Sequence, residues 1–472
     1  MQKEAAPSLD RLSAIHADGS RRDIQTADVH GRFVTWRQVV YAALIAIYVS
    51  MPFVHVGGHP AMQLDIATRH FYLFGSVFNA QDGWRIVFLL LAIGASLFFI
   101  TTWYGRVWCG WACPQTVFLE GVFRRLERWI EGPREQRIRL SAAPWGLDKI
   151  VRRVTKHASY LAVSLFLANV FIAFFVSLPS LLQMIREDPR QNWVAFLWVM
   201  ALTAVMYFNF AWFREQLCIV VCPYGRLQSA LLDRDSIIIG YDAKRGEPRG
   251  HVTRTERTGT SLPVVPKGDC VDCKRCVVVC PTSIDIRNGT QLECVGCAQC
   301  IDACDDVMDK LHRPRGLIRY DSQAGFEGQQ RRVLRPRLII YGLLFVLAGA
   351  SLVITMWSRA LFESNVIRVA GPPYVLDADS VRNQYELHLV NKNSIETTFH
   401  VSVTAPTPIN LTLPTPDVHV ASLDHYRIPI FVTVPRKDYR GPFELRISVK
   451  DDASGTTREV PVRFLGPPGR VP

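Results

Sequence analysis

Five uncharged, apolar stretches punctuate the chain, at residues 38–63, 86–104, 160–185, 192–213 and 338–358. Each nears or exceeds the ~20 residues a helix needs to cross the hydrocarbon of a bilayer, so the pattern predicts five transmembrane helices. Beyond the last stretch the periodicity changes from helical to alternating. "NQYELHLVNKN", "TTFHVSVTAP", "YRIPIFVTVP", "PFELRISVKD" and "REVPVRFLGP" read as short strands separated by Pro, Asn, Asp and Gly, the signature of a β-sandwich of about a hundred residues. Between the second and third stretches, Phe118, Val122, Phe123, Leu126, Trp129 and Ile130 form an apolar stripe opposite Arg124, Arg125, Glu127 and Arg128. That spacing predicts a helix lying on the membrane surface.

Charge then gives the stretches a direction. The 472 residues carry a formal net charge of +12, and lysine and arginine near spans stay on the cytoplasmic side. Residues 105–159 hold eleven of them, from Arg106 to Lys156, whereas the loop between the first two spans has only Arg69 and Arg85. The amino terminus and residues 214–337 are therefore expected in the cytoplasm, and everything after residue 359 outside. The first 35 residues, with charges of both signs, do not read as a cleavable signal peptide. The basic excess reads as topology and contact with membrane lipid. No reading helix or RNA-binding motif accompanies it, so nucleic acid is not an expected partner.

All twelve cysteines lie between Cys109 and Cys304, on the expected cytoplasmic side, where thiols stay reduced. Metal or redox work is a better reading than a disulfide framework. Eight form two copies of one pattern: "CVDCKRCVVVCP" with Cys270, Cys273, Cys276 and Cys280, then "CVGCAQCIDACD" with Cys294, Cys297, Cys300 and Cys304. This is the spacing of bacterial dicluster ferredoxins, in which the fourth cysteine of each run serves the other cluster. Cys270, Cys273, Cys276 and Cys304 are expected to hold one [4Fe-4S] centre, and Cys294, Cys297, Cys300 and Cys280 the other. Zinc is the competing reading, but it usually sits on separated two-cysteine knuckles. Asp305 stands where such motifs usually repeat the proline.

The remaining four cysteines also repeat. "WYGRVWCGWACP" and "WFREQLCIVVCP" align without gaps, Cys109 with Cys218, Cys113 with Cys222, and Pro114 with Pro223. Each follows an outward-to-inward span, so both thiol pairs are expected at the same depth. The proline suits the first turn of a new helix and disfavours helix at the cysteine before it. Two readings stand: four packing cysteines, or one shared thiolate site for cuprous copper, zinc or an iron-sulfur centre. His55, His59 and His70 with Met51 and Met62 gather near the outer loop, where ordinary loop roles compete with copper contact. No histidine lies deep in a span, and no CxxCH, GxGxxG or Walker motif occurs, so haem, nicotinamide and ATP chemistry lack a sequence basis. Electrons must come from another protein or a quinol.

The set "WCGWACPQ", "CPYGRLQ", "YDAKRGEPRG", the double ferredoxin run and "RPRGLIRY" closely resembles the cytochrome c oxidase accessory protein family, known as CcoG, FixG or RdxA. The likeness runs from about the first span to the final β-domain and is looser at "NVIRVAGPPYVL". It implies a multi-domain protein of the bacterial inner membrane. Residues 1–35 would form a cytoplasmic tail and 36–213 a four-helix membrane domain with the loop 105–159. Residues 214–337 would be cytoplasmic, with a ferredoxin-like 2[4Fe-4S] domain at about 260–310. Residues 338–358 would be the fifth helix and 359–472 a periplasmic immunoglobulin-like domain.

The implied role is assistance to the assembly of cbb3-type cytochrome oxidase by reduction of Cu(II) to Cu(I). Electrons would pass through the eight ferredoxin cysteines towards Cys109, Cys113, Cys218 and Cys222, where a copper ion is a candidate ligand. Oxidase-assembly or copper-transport proteins, an electron donor and a second copy of the chain are the expected partners. A quinol-oxidising subunit feeding a periplasmic reductase, which uses similar motifs, and a non-catalytic assembly scaffold are the alternatives.

Overall fold

The computed structural model describes residues 24–57, 59–66, 69–79, 82–250, 268–358, 360–393 and 395–468. They form two compact units, one of residues 1–54 and 87–352, the other of residues 55–86 and 353–472. Among the described residues, four helices are long and apolar enough to cross a membrane: Arg32–Phe53, Arg85–Tyr104, Trp193–Phe213 and Pro336–Trp357. Their side chains are largely exposed, as in Leu90, Leu91, Leu343 and Leu347. Apolar surface on this scale is what lipid would cover.

Two of the expected spans differ in detail. The first was expected over 38–63, but helix ends at Ser50, with a 3₁₀ turn over Met51–Phe53, and the chain then enters the short strands His55–Val56, His59–Pro60 and Met62–Asp65. Pro52 and Pro60 and the glycines between them account for the early stop. The third was expected as one stretch over 160–185. It is instead a 26-residue helix, Leu147–Ile172, whose first turns carry Lys149, Arg152, Arg153 and Lys156, followed by a break and a second helix, Leu178–Arg186. Ser177 is extended and Pro179 sits in the first turn of the second helix. Proline cannot donate to the preceding turn, so the helix restarts there.

Within the first unit, Leu147–Ile172 packs on Trp193–Phe208 around a small aromatic core. Phe123 stacks on Phe210 at 4.4 Å, and Tyr160 meets Phe123 edge-on at 5.1 Å. The segment 114–131 runs as a short helix Pro114–Phe118, a π turn Leu119–Phe123 and a helix Arg124–Glu131. It is not the simple surface helix its stripe predicts. Arg124, Glu127 and Glu131 are buried, while Trp129 is 79% exposed. The reason is a chain of buried ion pairs: Arg124 with Glu120 and Glu215, Arg214 with Glu127 at 3.0 Å, and Lys156 with Glu131 at 2.8 Å.

The ferredoxin part is held against these helices from three sides. The antiparallel pair Ile237–Tyr241 and Ile318–Ser322 brackets the cysteine runs, and Ile239, Ile284, Ile286, Ile301, Met308, Leu317 and Ile318 fill the core. Asp302 accepts from the free backbone amides of Phe33 and Val34 at 3.3 and 2.8 Å. It thereby satisfies amides at the start of the first long helix that no intrahelical carbonyl can reach. Ala27 N–H donates to the Val278 carbonyl at 3.0 Å, and Val29 packs with Val279 and Ala303, so this stretch touches both cysteine runs. Asp305, in place of proline, accepts from Gly316 N–H at 3.0 Å and ties the last cysteine helix to the returning chain.

The second unit is an all-antiparallel sandwich. One sheet orders Asn410–Thr412, His425–Pro435, Ser380–Asn391 and Phe362–Arg368, with Val375–Leu376 also paired to Ser380–Asn391. The other orders Asp417–Val420, Thr397–Thr404, Phe443–Asp451 and Thr457–Phe464. Alternate residues of both, including Tyr385, Leu387, Leu389, Ile428, Ile430, Phe399, Leu445 and Ile447, are fully buried between them, the packing that period-two patterning dictates. Lys392, buried, bonds Asp82 at 2.9 Å and also Glu363, which fixes the 55–86 excursion to the sandwich.

Candidate iron-sulfur and thiol site

The two cysteine runs adopt the same backbone path. In the first, Asp272 and Lys274 have φ of 51° and 55°; in the second, the equivalent Gly296 and Ala298 have φ of 70° and 62°. Left-handed backbone at Lys274 and Ala298, neither of them glycine, is uncommon and marks a functional constraint. It wraps each run into a cup. One cup is lined by Cys270, Cys273, Cys276 and Cys304 together with Lys274, Arg287 and Ile318. The other is lined by Cys280, Cys294, Cys297 and Cys300 with Ile239, Ile284, Ile286 and Ala298, and Cys276 borders it too. The structure thus brings together the two crossed sets that the spacing predicts.

A four-thiolate cup fits a cubane cluster, whose cysteines sit around the outside of a four-iron cage. All twelve cysteines are free, and among the described residues no three His, Cys, Asp or Glu side chains are placed to grip a single metal ion. Burial pushes the thiols of Cys276, Cys297 and Cys304 up to about 12 and that of Cys294 to about 11. Arg287 beside Cys276, and Arg37 beside Cys297, act in the opposite sense. Such thiols are protonated until a cluster binds, and ligation as thiolates releases their protons.

Of the other four cysteines, the segment of Cys109 and Cys113 lies against the second cup. Helix Val107–Trp111 ends before Cys113, which is extended and precedes Pro114; the π turn Leu217–Val221 ends before Cys222, which is extended and precedes Pro223. Each proline opens a helix, as the repeat predicts. Burial raises the Cys109 thiol to about 12 and raises Cys218 as well, with Cys113 and Cys222 adding to both. Gly110, between Cys109 and Cys113, faces Gly296, between Cys294 and Cys297. A Cβ on Gly110 would fall 2.7 Å from the Gly296 carbonyl oxygen, and one on Gly296 2.9 Å from that of Arg106. Both positions need glycine for the backbones to touch.

Several residues that build this contact are not evident from the cysteine spacing. Arg37 Nε and Tyr41 Oη donate to the Gly110 carbonyl at 3.1 and 2.6 Å. Arg106 donates to Cys294 O at 3.2 Å, Gly225 O at 2.9 Å and Ser229 Oγ at 2.7 Å, joining both thiol pairs to the second cup. Gln228, fully buried, lies 3.2 Å from Cys109 Sγ. Of the outer histidines, His59 and His70 both lie against the Tyr72 ring. His59 stacks on Tyr72 at 5.2 Å and His70 lies in the strand His70–Leu73, paired opposite Asp65, and they form no three-ligand group among the described residues.

Three family models match the chain: a 4Fe-4S binding domain over residues 84–133, a 4Fe-4S dicluster domain over 213–323, and the IG-like fold at the C-terminal of FixG over 352–467. The nitrogen fixation protein FixG of Rhizobium meliloti is 36% identical over 411 residues, covering 79% of this chain and 77% of its own length. Protein RdxB of Cereibacter sphaeroides is 37% identical over 419 residues, covering 85% and 86%, and protein RdxA of the same organism is 35% identical over 398, covering 81% and 82%. The chain belongs to the FixG/RdxA/RdxB family. This FixG-family chain is an iron-sulfur protein with a 4Fe-4S dicluster domain, long apolar helices of a multi-pass membrane protein and the FixG C-terminal IG-like fold.

Proposed function

We propose that this protein is an oxidoreductase of the bacterial inner membrane that assists cbb3-type oxidase assembly by reducing Cu(II) to Cu(I). When bound, [4Fe-4S] clusters supply reversible one-electron transfer. Cys270, Cys273, Cys276 and Cys304 hold one, and Cys280, Cys294, Cys297 and Cys300 the other. The observation that supports the reading is the Gly110 to Gly296 contact, which brings the segment of Cys109 and Cys113 against the second cup. Copper enters as substrate. A cavity lined by Cys218, Gly225, Arg226, Ser229, Leu292 and Glu293 opens onto one of these thiols, and soft sulfur favours the cuprous state.

Residues 147–186 make the remaining passage of a five-span topology. The helix ends meeting the ferredoxin part alternate along the chain: Asp302 at the start of the first, the Ile237 carbonyl beside Gly105 after the second, and Arg335 with Asp233 at the head of the last. With the arginine bias of the loops, this supports a cytoplasmic ferredoxin domain and a periplasmic sandwich, the latter free to meet oxidase-assembly or copper-transport proteins. A reporter fused after Gly268 is expected to be active only in the cytoplasm and one after Glu386 only in the periplasm; the reverse pattern removes the topology.

The activity is tested by anaerobic Cu(II) titration of the dithionite-reduced, purified protein. Cuprous ion, trapped by a chelator, is expected to form as the reduced, bleached clusters reoxidise and their visible absorbance returns. Cys113→Ser and Cys222→Ser are each expected to lose most of this reduction with the ferredoxin clusters retained, and the double change to add little, because residues of one site are not additive. Normal turnover per folded molecule in both variants would return the four cysteines to packing.

A further inference from the structure

We propose that Arg37 sets the direction of electron transfer: its buried charge makes the centre of the second cup the more easily reduced of the two, so that an electron entering at the first cup from a one-electron donor comes to rest beside the segment of Cys109 and Cys113. The order of the two potentials is independent of copper; only the use made of the electron rests on the functional reading above.

Arg37 is the sixth residue of the helix Arg32–Ser50, yet it is only 2% exposed. Its Nε donates to the Gly110 carbonyl at 3.1 Å. Turned so that its oxygen faces a donor, the Gln299 amide accepts from Arg37 Nη1 at 3.1 Å and donates to the Val279 carbonyl at 2.5 Å. Gln299 stands between Cys297 and Cys300, and Gly110 between Cys109 and Cys113. One guanidinium therefore touches both the second cysteine run and the backbone between two of the other thiols. Tyr41 Oη accepts from Arg37 Nε at 3.1 Å and donates to the same Gly110 carbonyl at 2.6 Å, which fixes the cation in place.

The two cups differ in how their cations are balanced. Glu120 lines the same small pocket as Arg37 but pairs with Arg124, and among the described residues Arg37 forms no ion pair of its own. Of the acids along the second run, Asp302 is held by the amides of Phe33 and Val34, and Glu293 is half-buried. Arg106, bonded to the Cys294 carbonyl at 3.2 Å, adds a second cation there. At the first cup the buried cation, Arg287, is bonded to two carboxylates, Asp272 at 2.5 Å and Asp285 at 2.7 Å, and Asp305 is buried next to Cys304. Lys274 and Arg275 on its rim are exposed, where salt and water screen them.

A cluster gains one negative charge on reduction, and the charge around it is one of the levers on its potential. A buried, unbalanced cation favours the reduced form. Arg37 thus raises the second centre, whereas the carboxylates around Arg287 cancel its influence on the first. One electron leaves the first centre, which is oxidised, and reduces the second; no bond breaks and no proton moves. Of the twelve cysteines only Cys273, of the first cup, is exposed, which puts the entry at the opposite end from Arg37.

The test is a redox titration of the full chain, purified anaerobically in detergent and reduced with dithionite through mediators, read by electron paramagnetic resonance. Two waves are expected. Arg37→Met should lower the higher one, by about tenfold in its reduction equilibrium constant, or about 59 mV for one electron, and leave the lower wave and the iron content as in wild type. Arg37→Lys, which keeps the charge, should keep most of the wild-type potential. Cys280→Ser, which leaves the first cup complete, should retain the lower wave alone. Both waves unmoved in Arg37→Met, an equal drop in Arg37→Lys, or the higher wave surviving in Cys280→Ser each overturns the proposal. If Arg37→Met loses iron, Arg37→Gln, which keeps a donor for Gly110, reads the same shift. The expected order of potentials in a chain that does not reduce copper supports the role of Arg37 and removes the functional reading; copper reduction with the order reversed does the opposite.

Discussion

Replacing Cys280 with serine is expected to remove the cluster of Cys294, Cys297 and Cys300 and to leave that of its sequence neighbours in place. Cys280 lies four residues from Cys276 and fourteen before Cys294, so a reading by proximity along the chain would assign it to the first run. Its side chain instead lines the second cup. The path between explains this: helix Arg275–Val278 carries the chain away from the first cup, and the turn at Cys280 to Ser283 brings it under the second run. Cys304 makes the reciprocal crossing on the helix Gln299–Lys310. The variant should lose about four of the iron atoms held by the ferredoxin domain, and Cys304→Ser should lose a spectroscopically different four. Loss of the same centre in both variants, or of the first centre alone in Cys280→Ser, would contradict the crossed arrangement.

The two groupings of cysteines around the cups were legible in the sequence because the pattern is local: three of the four cysteines in each fall within seven residues. The sandwich was legible for a similar reason, since strands with one buried face alternate with period two. What escaped is long-range. Asp302 caps a helix 269 residues away in sequence, and Gly110 meets Gly296. No periodicity encodes such pairs. The third span escaped because an uncharged run measures hydropathy and is blind to the break that Ser177 and Pro179 impose. The charges of residues 120–131 misled in the opposite direction. Arginine and glutamate on one helix face normally mean solvent, and here they mean a buried partner supplied by Arg214, Glu215 and Lys156.

Those buried charges carry the second large effect. Burial alone would push the Glu127 carboxyl up, and Arg214, Lys156 and Arg137 more than offset it, holding the group down to about 2. Glu127, Arg214 and Lys156 are all nearly excluded from solvent. Arg214→Met removes the strongest of the three attractions and keeps most of the side-chain volume, so Glu127 and Glu215 are left with unbalanced buried charge. Removing one partner of a buried pair costs about 3–5 kcal/mol, a large share of the stability of an ordinary domain. The pH dependence separates this electrostatic cause from simple loss of packing. In the wild-type chain Glu127 contributes stability above the ordinary carboxylate range, and this contribution fades as pH falls from about 4.5 towards 2. In Arg214→Met the carboxyl moves up, because burial is then less opposed, and its protonation relieves the unpaired charge. The deficit relative to wild type should therefore be greatest near pH 7 and shrink on acidification. Thermal unfolding in detergent from pH 7 down to about pH 4 measures it. A deficit that stays constant with pH would place the loss in packing, and a stability equal to wild type at pH 7 would remove the ion-pair chain as a fastener of the loop 105–159 to the membrane helices.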